Sequence, residues 1–374
     1  MPEAEKVMGV STDDIEKIMG VSKDDIEKVM GVEIPAGTIT WAGVTGLQFG
    51  GNHYYTSGAV TFGAQIQYNT IGSTSNAQDF GDIASGGRED SGGAMTGNSA
   101  ARAVIDGGSK SGARFNTDTD YITVASTGDT SDFGDKTIAT VTGAAMSNGT
   151  LGFQSGGEES GGNYTAYMAY RNIASAGDFA DAGDMKARRE IMSVSGDSRG
   201  AAGGGSVALG LEADIYNEIE YTTFHTTNNA SDFGDMINKG WGSCAMESKT
   251  RWILNNGYYY INGGSSIYRR NQDYVTAAST GNASDFGDDV LAYEQNGTSN
   301  GTRGEIWGGY VDQAYIDGTN YNNSGREEIR YVTIASTGDS QDTGALMLND
   351  YEDWGGTPDR IVGALLGNAG GSGT

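Results

Sequence analysis

The 374-residue chain has a single cysteine, Cys244, three prolines and two histidines, His53 and His225. One cysteine excludes an internal disulfide and a cysteine-built zinc site. Two histidines leave little material for an imidazole-ligated metal or a histidine general base. Basic residues are also scarce, 23 Lys and Arg against 49 Asp and Glu, for a formal charge of −26. Nucleic acid and anionic membrane surfaces are therefore expected not to be partners, since phosphate would meet like charge and no basic cluster. The opening stretch "MPEAEKVMGVSTDDIEKIMG" lacks the apolar run of a signal peptide or a membrane span, so synthesis in a cytoplasm without classical export is expected.

Glycine is abundant at 61 residues and tyrosine reaches 20. With proline nearly absent and without a three-residue period, this composition argues for many short strands joined by tight turns, hence an all-β chain. The length exceeds what one compact core usually serves, so repeats or several domains are expected.

Two internal repeats organise the chain. Over residues 1–32, "EKVMGV", "EKIMGV" and "EKVMGV" recur every 11 residues, with "STDDI" and "SKDDI" between them. Ser11 and Ser22 stand where an N-cap would, Asp14 and Asp25 follow three residues later, and Gly20 and Gly31 fall at the stop position. Three very short amphipathic helices are expected, with a continuous helix as the alternative. Their apolar stripe comprises Val7, Met8, Ile15, Ile18, Met19, Ile26, Val29 and Met30. Helices this short need a partner surface, so the segment reads as an anchor to another protein.

The second repeat fills residues 33–368, before a Gly/Ser-rich tail at 369–374. The phrase "NAQDFGD" at 76–82 returns as "TSDFGD" at 130–135, "NASDFGD" at 229–235 and again at 282–288, with altered copies around Gly183 and Gly344. Its spacing of about 50 residues is that of a four-stranded propeller blade. A β-branched, aromatic strand precedes each copy, as in "TDYITVAST" and "IRYVTIAST". Upstream again lies a segment ending in paired glycines or a close relative; seven such segments stand against six tyrosine strands.

The paired glycines Gly107–Gly108, Gly204–Gly205 and Gly308–Gly309, with Tyr68, Tyr121, Tyr170, Tyr221, Tyr274 and Tyr331 on the following strands, resemble the kelch repeat. Phe80, Phe133, Phe233 and Phe286 take the place of that family's fourth-strand tryptophan. The wording "YVTIAST", the repeated "NASDFGD" and the leader "DDIEKIMGV" are similar to kelch-like structural proteins of tailed phages of marine bacteria. The resemblance implies a kelch-like β-propeller, with seven blades favoured and six the alternative. It implies a non-enzymatic virion protein, present in multiple copies and bound to other virion proteins through the N-terminal repeats. A cellular kelch-like scaffold and a polysaccharide-acting enzyme are the competing readings.

Candidate chemistry is sparse. Asn282, Ser284, Asp285, Asp288 and Asp289 offer hard oxygens, so calcium is weighed, but turn-making and backbone capping explain a motif present in every repeat more simply. No cofactor or metal is assigned. The repeated "DFG" lacks the lysine, glutamate and His-Arg-Asp companions of a kinase. The arginines that recur once per repeat, Arg102, Arg199, Arg251, Arg303 and Arg360, are expected to bond loop carbonyls or neighbouring Asp. Recognition is expected where the repeat is interrupted, in "WILNNGYYYINGGSSIYRR" and "WGGYVDQAYIDGTNYNN". Tyr258, Tyr259, Tyr260, Trp307, Tyr310 and Tyr315 there could stack on a host-surface glycan.

Overall fold

A computed structural model describes residues 45–54, 60–89, 92–96 and 102–348, apart from short breaks within the last range. It also gives paired dipeptides between residues 6 and 33 and at 361–362 and 369–370. The described elements are all β, with no α-helix among them.

Six four-stranded antiparallel units account for most of the chain. The second runs Gly92–Thr96, Arg102–Asp106, Asp118–Thr123 and Ser131–Asp135, each strand beside the next. The third (Ala144–Ser147 to Ala180–Asp184), fourth (Met192–Val194 to Ser231–Asp235) and fifth (Ala245–Glu247 to Ser284–Asp288) repeat that order. The sixth runs from Asn296–Ser299 to Gln341–Leu346, with Ala369–Gly370 added in parallel beside its first strand. The first sheet takes Ile361–Val362 from near the C-terminus, then Thr45–Tyr54, Val60–Thr70 and Gln78–Asp82.

Ile361–Val362, from the seventh glycine-ended segment at 360–368, therefore joins the first sheet, where Ile361 pairs with His53 and Val362 with Asn52. The stretch "TITWAG" at 38–43, which could supply an outer strand from the N-terminal side, lies outside the described residues. Among the described residues no seventh four-stranded sheet forms. The 11-residue repeats, expected as helices, instead carry two-residue antiparallel ladders: Lys6–Val7 on Val10–Ser11, Lys17–Ile18 on Val21–Ser22 and Lys28–Val29 on Val32–Glu33. Met8, Ile15, Met19, Ile26 and Met30 lie outside the described residues.

Burial explains the strand sequences. Second strands such as Arg102–Asp106 and Arg251–Asn255 bury every residue after the first, because both of their faces meet another sheet. Outer strands bury only the third residue, the phenylalanine of the repeated phrase. Tyr68 meets Phe80 edge-on, as Tyr121 meets Phe133, Tyr221 meets Phe233 and Tyr274 meets Phe286, with centroids 5.6–6.1 Å apart. In the third copy Ala182 takes the phenylalanine's place and Tyr170 stacks on Phe153 instead, at 5.7 Å.

The phrase also contains a β-bulge. In all six sheets the ladder between third and fourth strands jumps at one place, so that Phe133, for example, is skipped between Asp132 and Gly134. The bulge turns the following N–H toward the next sheet. Asp82 N–H donates to Asp129 Oδ1, Asp135 to Asp178, Asp184 to Asn229, Asp235 to Asn282, Asp288 to Asp339 and Leu346 to Asn76, at 2.9–3.3 Å. The last of these joins the sixth sheet to the first, where Ala77 N–H also donates to Leu346 O at 2.8 Å. Six junctions of one design thus close the sheets on themselves, an arrangement compatible with a β-propeller.

The recurrent arginines work beside this clasp. Arg102, Arg199, Arg251 and Arg303 lie over the rings of Tyr121, Tyr221, Tyr274 and Tyr331, 3.5–4.9 Å from the centroids. Arg102 also donates to Ala174 O and Arg251 to Ile334 O in the following sheet, both at 2.9 Å, the carbonyl bonding expected of them.

Candidate functional site

Equivalent strands place all the interruptions at one end. Each follows a second strand and precedes a third, so in a ring of like sheets they emerge from the same rim. In the third sheet Glu158–Glu159 pairs with Asn163–Tyr164 and with Thr140–Val141. In the fifth, Tyr258–Ile261 pairs with Ser265–Tyr268. In the sixth there are two ladders, Tyr310–Val311 on Ser324–Gly325 and Ala314–Ile316 on Thr319–Tyr321. The residues singled out from sequence thus fall on hairpins of adjacent sheets.

Trp307 departs from that set. It is the last residue of a second strand, fully buried, and its Nε1–H donates to Glu305 Oε2 at 3.3 Å. It packs with Ala77, Ile329, Ala345 and Met347 where the sixth sheet meets the first. A tryptophan held there supports the base of the hairpin and is closed to a glycan.

At the same rim the segments entering the first strands are strained. Thr142, Glu190 and Glu294 have φ of 54–57°, each two residues before a first strand, at Ala144, Met192 and Asn296. For threonine, with its branched Cβ, this conformation is unusual and costs about 1–3 kcal/mol. Glu190 N–H donates to Thr142 O at 2.7 Å, which ties neighbouring entries together. Nothing in the sequence signals these positions, because the usual marker of positive φ, a glycine, is missing.

Two buried polar networks lie beneath this rim. The residue after the repeated phrase is Ile83, Met185, Met236 or Met347 in four sheets and packs as an apolar wedge, but it is Lys136 in the second and Asp289 in the fifth. Asp289 accepts from Arg330 Nε at 2.9 Å, from Gln295 Nε2 at 2.7 Å, from Asn255 Nδ2 at 3.2 Å and from Ser340 Oγ. Burial pushes its carboxyl up, but the Arg330 guanidinium and these donors outweigh it and hold Asp289 below the usual carboxylate range. The calcium set considered from sequence is therefore split. Asn282 caps the fourth sheet, Asp289 turns inward to Arg330, and Asp288 stays exposed. Among the described residues no group of three or more His, Cys, Asp or Glu could hold a metal ion.

Lys136 donates to Thr140 Oγ1 at 2.7 Å and Thr140 O at 3.0 Å, near Asp106, which pairs with Arg171. Burial pushes the Lys136 ammonium down from 10.5 to about 7, against the pull of Asp106. An unfolded lysine keeps its proton to higher pH, so the unfolded chain binds more protons between about 7 and 10.5 and stability rises with pH across that window. Below about 7 both states are protonated and the full desolvation cost is present. Lys136→Met, which restores the residue of three other sheets, is expected to raise stability at pH 6 and to abolish this rise. Urea unfolding of both proteins from pH 6 to 10 measures the difference.

Chemically, the rim offers hairpins on a rigid support, and the buried acids and bases beneath it are paired internally. No protein-family model matches the chain, and no curated protein is significantly similar to it.

Proposed function

We propose that the chain is a six-bladed, kelch-like β-propeller that serves as a structural and adhesive protein of a tailed-phage virion. The N-terminal repeats attach it to other virion proteins, and the hairpins of the fifth and sixth sheets face outward to a partner such as a host-surface glycan. The observation that carries this reading is the contrast between the two parts of the molecule. Six like junctions make a stiff ring, while the departures from the repeat gather at one rim. A ring that spends its regularity on self-association and its irregularity on one end suits display.

Tyr258, Tyr259, Tyr260, Tyr310 and Tyr315 lie on strands of those hairpins, and aromatic and amide groups there suit stacking and hydrogen bonding to a sugar. The test has two arms. Deletion of residues 1–32 is expected to leave a folded propeller that no longer incorporates into purified particles; unchanged incorporation overturns the anchor. Tyr259→Ala is expected to lower binding on a glycan array at least about tenfold, as loss of one well-placed aromatic contact implies. A wild-type protein that binds no glycan removes the adhesive role and leaves the structural one.

A further inference from the structure

We propose that the ring opens locally at the junction between the sixth and first sheets, ahead of the other five. All six junctions share the side-chain cap on a backbone N–H, but the closing one lacks the backbone contacts that accompany the cap elsewhere. In five sheets the residue after the skipped position is a glycine, Gly81, Gly134, Gly183, Gly234 or Gly287, and a Cβ there would come within 2.4–2.9 Å of the next sheet's backbone. In the sixth sheet Ala345 holds that register, opposite Ile329 as Gly287 is opposite Gln272. A residue with a Cβ keeps the two backbones apart.

A backbone bond is missing there too. In four junctions the carbonyl of the skipped phenylalanine accepts a glycine N–H of the next sheet, from Gly128, Gly177, Gly281 or Gly338, at 2.6–2.9 Å. At the closing junction Ser75 stands in the glycine's place, just before the capping Asn76, and its N–H turns instead to Ser73 Oγ at 2.9 Å. The bulge skips Thr343 and Gly344 in place of the phenylalanine, and Thr343 Oγ1 donates to Ile329 O within its own sheet at 2.6 Å. The junction of the third and fourth sheets also does without the wedge, yet it keeps the close glycine, Gly183, and packs Phe153 on Phe224 with centroids 5.0 Å apart.

The surface that the first sheet turns to the sixth is polar. A Cβ on Gly46 would lie 3.0 Å from Thr298 Cγ2 and 3.2 Å from Trp307, so this residue faces the sixth sheet. Gln48, two residues on, shares that face, and Asn69 and Gln67 are the cross-strand partners of the two. At the registers of Gln48 and Asn69 the second sheet has Ile105 and Ile122, and the fifth has Leu254 and Val275. Gln67 Oε1 accepts from Leu348 N–H at 2.7 Å, but Gln48, 1% exposed, has no hydrogen-bond partner for either atom of its amide. An amide buried without partners opposes closure, and opening relieves it by admitting water. The chain itself also holds this sheet less firmly. Ile361–Val362 meets Thr45–Tyr54 through two cross-strand pairs among the described residues, against three or four between the first and second strands of each other sheet.

Native-state hydrogen exchange of the full chain, resolved to single amides by mass spectrometry, tests the proposal. After correction for intrinsic rates, the amides of Ala77 and Leu346 are expected to exchange at least about tenfold faster than their counterparts. Those are Ser340 and Asp288 between the fifth and sixth sheets, and Ala283 and Asp235 between the fourth and fifth. Gln48→Leu, which carries the fifth sheet's residue, is expected to slow exchange at Ala77 and Leu346 by about tenfold and to leave Ser340 and Ala283 unchanged. Equal protection of the wild type at all these junctions overturns the proposal. So does a Gln48→Leu variant in which every junction shifts alike, since that marks a change in global stability.

Discussion

Gly287→Ala is expected to destabilise the protein by more than about 3 kcal/mol, whereas Gly338→Ala, at the same junction, costs about 1–2 kcal/mol. Both glycines have strongly positive φ, 150° and 154°, so both substitutions strain the backbone. They differ in what a methyl group would meet. A Cβ on Gly287 would come within 2.5 Å of the Gly338 carbonyl carbon and oxygen, while one on Gly338 has nothing within 4 Å. Backbone cannot swing aside as a long side chain can, so the first change must separate the fifth and sixth sheets. It would then lose the bonds from Gly338 N–H to Phe286 O at 2.7 Å and from Asp288 N–H to Asp339 Oδ1 at 2.9 Å. Paired urea titrations measure the difference, and equal losses would mean that the clasp is not where the glycine matters.

Asp289→Ala is expected to cost about 3–5 kcal/mol, because it leaves the Arg330 guanidinium buried without its anion. Arg330 keeps a long bond to Gly308 O at 3.4 Å, and Gln295, Asn255 and Ser340 each lose an acceptor. The double change Asp289→Met with Arg330→Leu should recover most of that loss, since it removes both charges and restores the methionine wedge of the third, fourth and sixth sheets. A further expectation follows from the lowered Asp289 carboxyl. A carboxylate below its unfolded value contributes stability that is present at neutral pH and lost as pH falls through the folded value, so the wild type should approach the Asp289→Ala variant in strong acid. If the single variant were as stable as the wild type at pH 7, the pair would be contributing nothing net.

Much of the all-β character was legible in the chain because it is written six times. A tyrosine strand and a glycine-ended strand in each repeat, with an Asp-Phe-Gly-Asp phrase in four of the six and altered copies in the other two, give a period that chance does not produce, and the structure places them as neighbouring strands of one sheet. The Phe-Gly dipeptide was readable as a turn and an aromatic wedge. That it is a bulge was not, since a bulge is defined by the partner strand's register and the sequence of one strand does not contain it. Likewise the Asn or Asp opening the phrase looked like turn chemistry, yet its side chain caps a backbone N–H of the preceding sheet, some 43–51 residues earlier in the successive pairs and 270 away at the closing one.

Local pattern misled in three places. The leader's N-cap and stop signals suggested helices, whereas its described dipeptides pair as short antiparallel ladders. The glycine-ended segment at 360–368 reads like the start of another repeat, but its described residues, Ile361–Val362, pair with the first sheet. Trp307, in a tyrosine-rich stretch, reads as exposed, but its position at the end of a second strand buries it.

By itself, then, the sequence determined the strand types, their order within a repeat and the places where the repeat is broken, because each depends on residues close together in the chain. Tertiary structure alone decided which sheets clasp one another, that Ile361–Val362 joins the first sheet and which of the described buried acids are answered by a base. Those depend on which sheet faces which, and such contacts span tens to hundreds of residues that no local pattern connects.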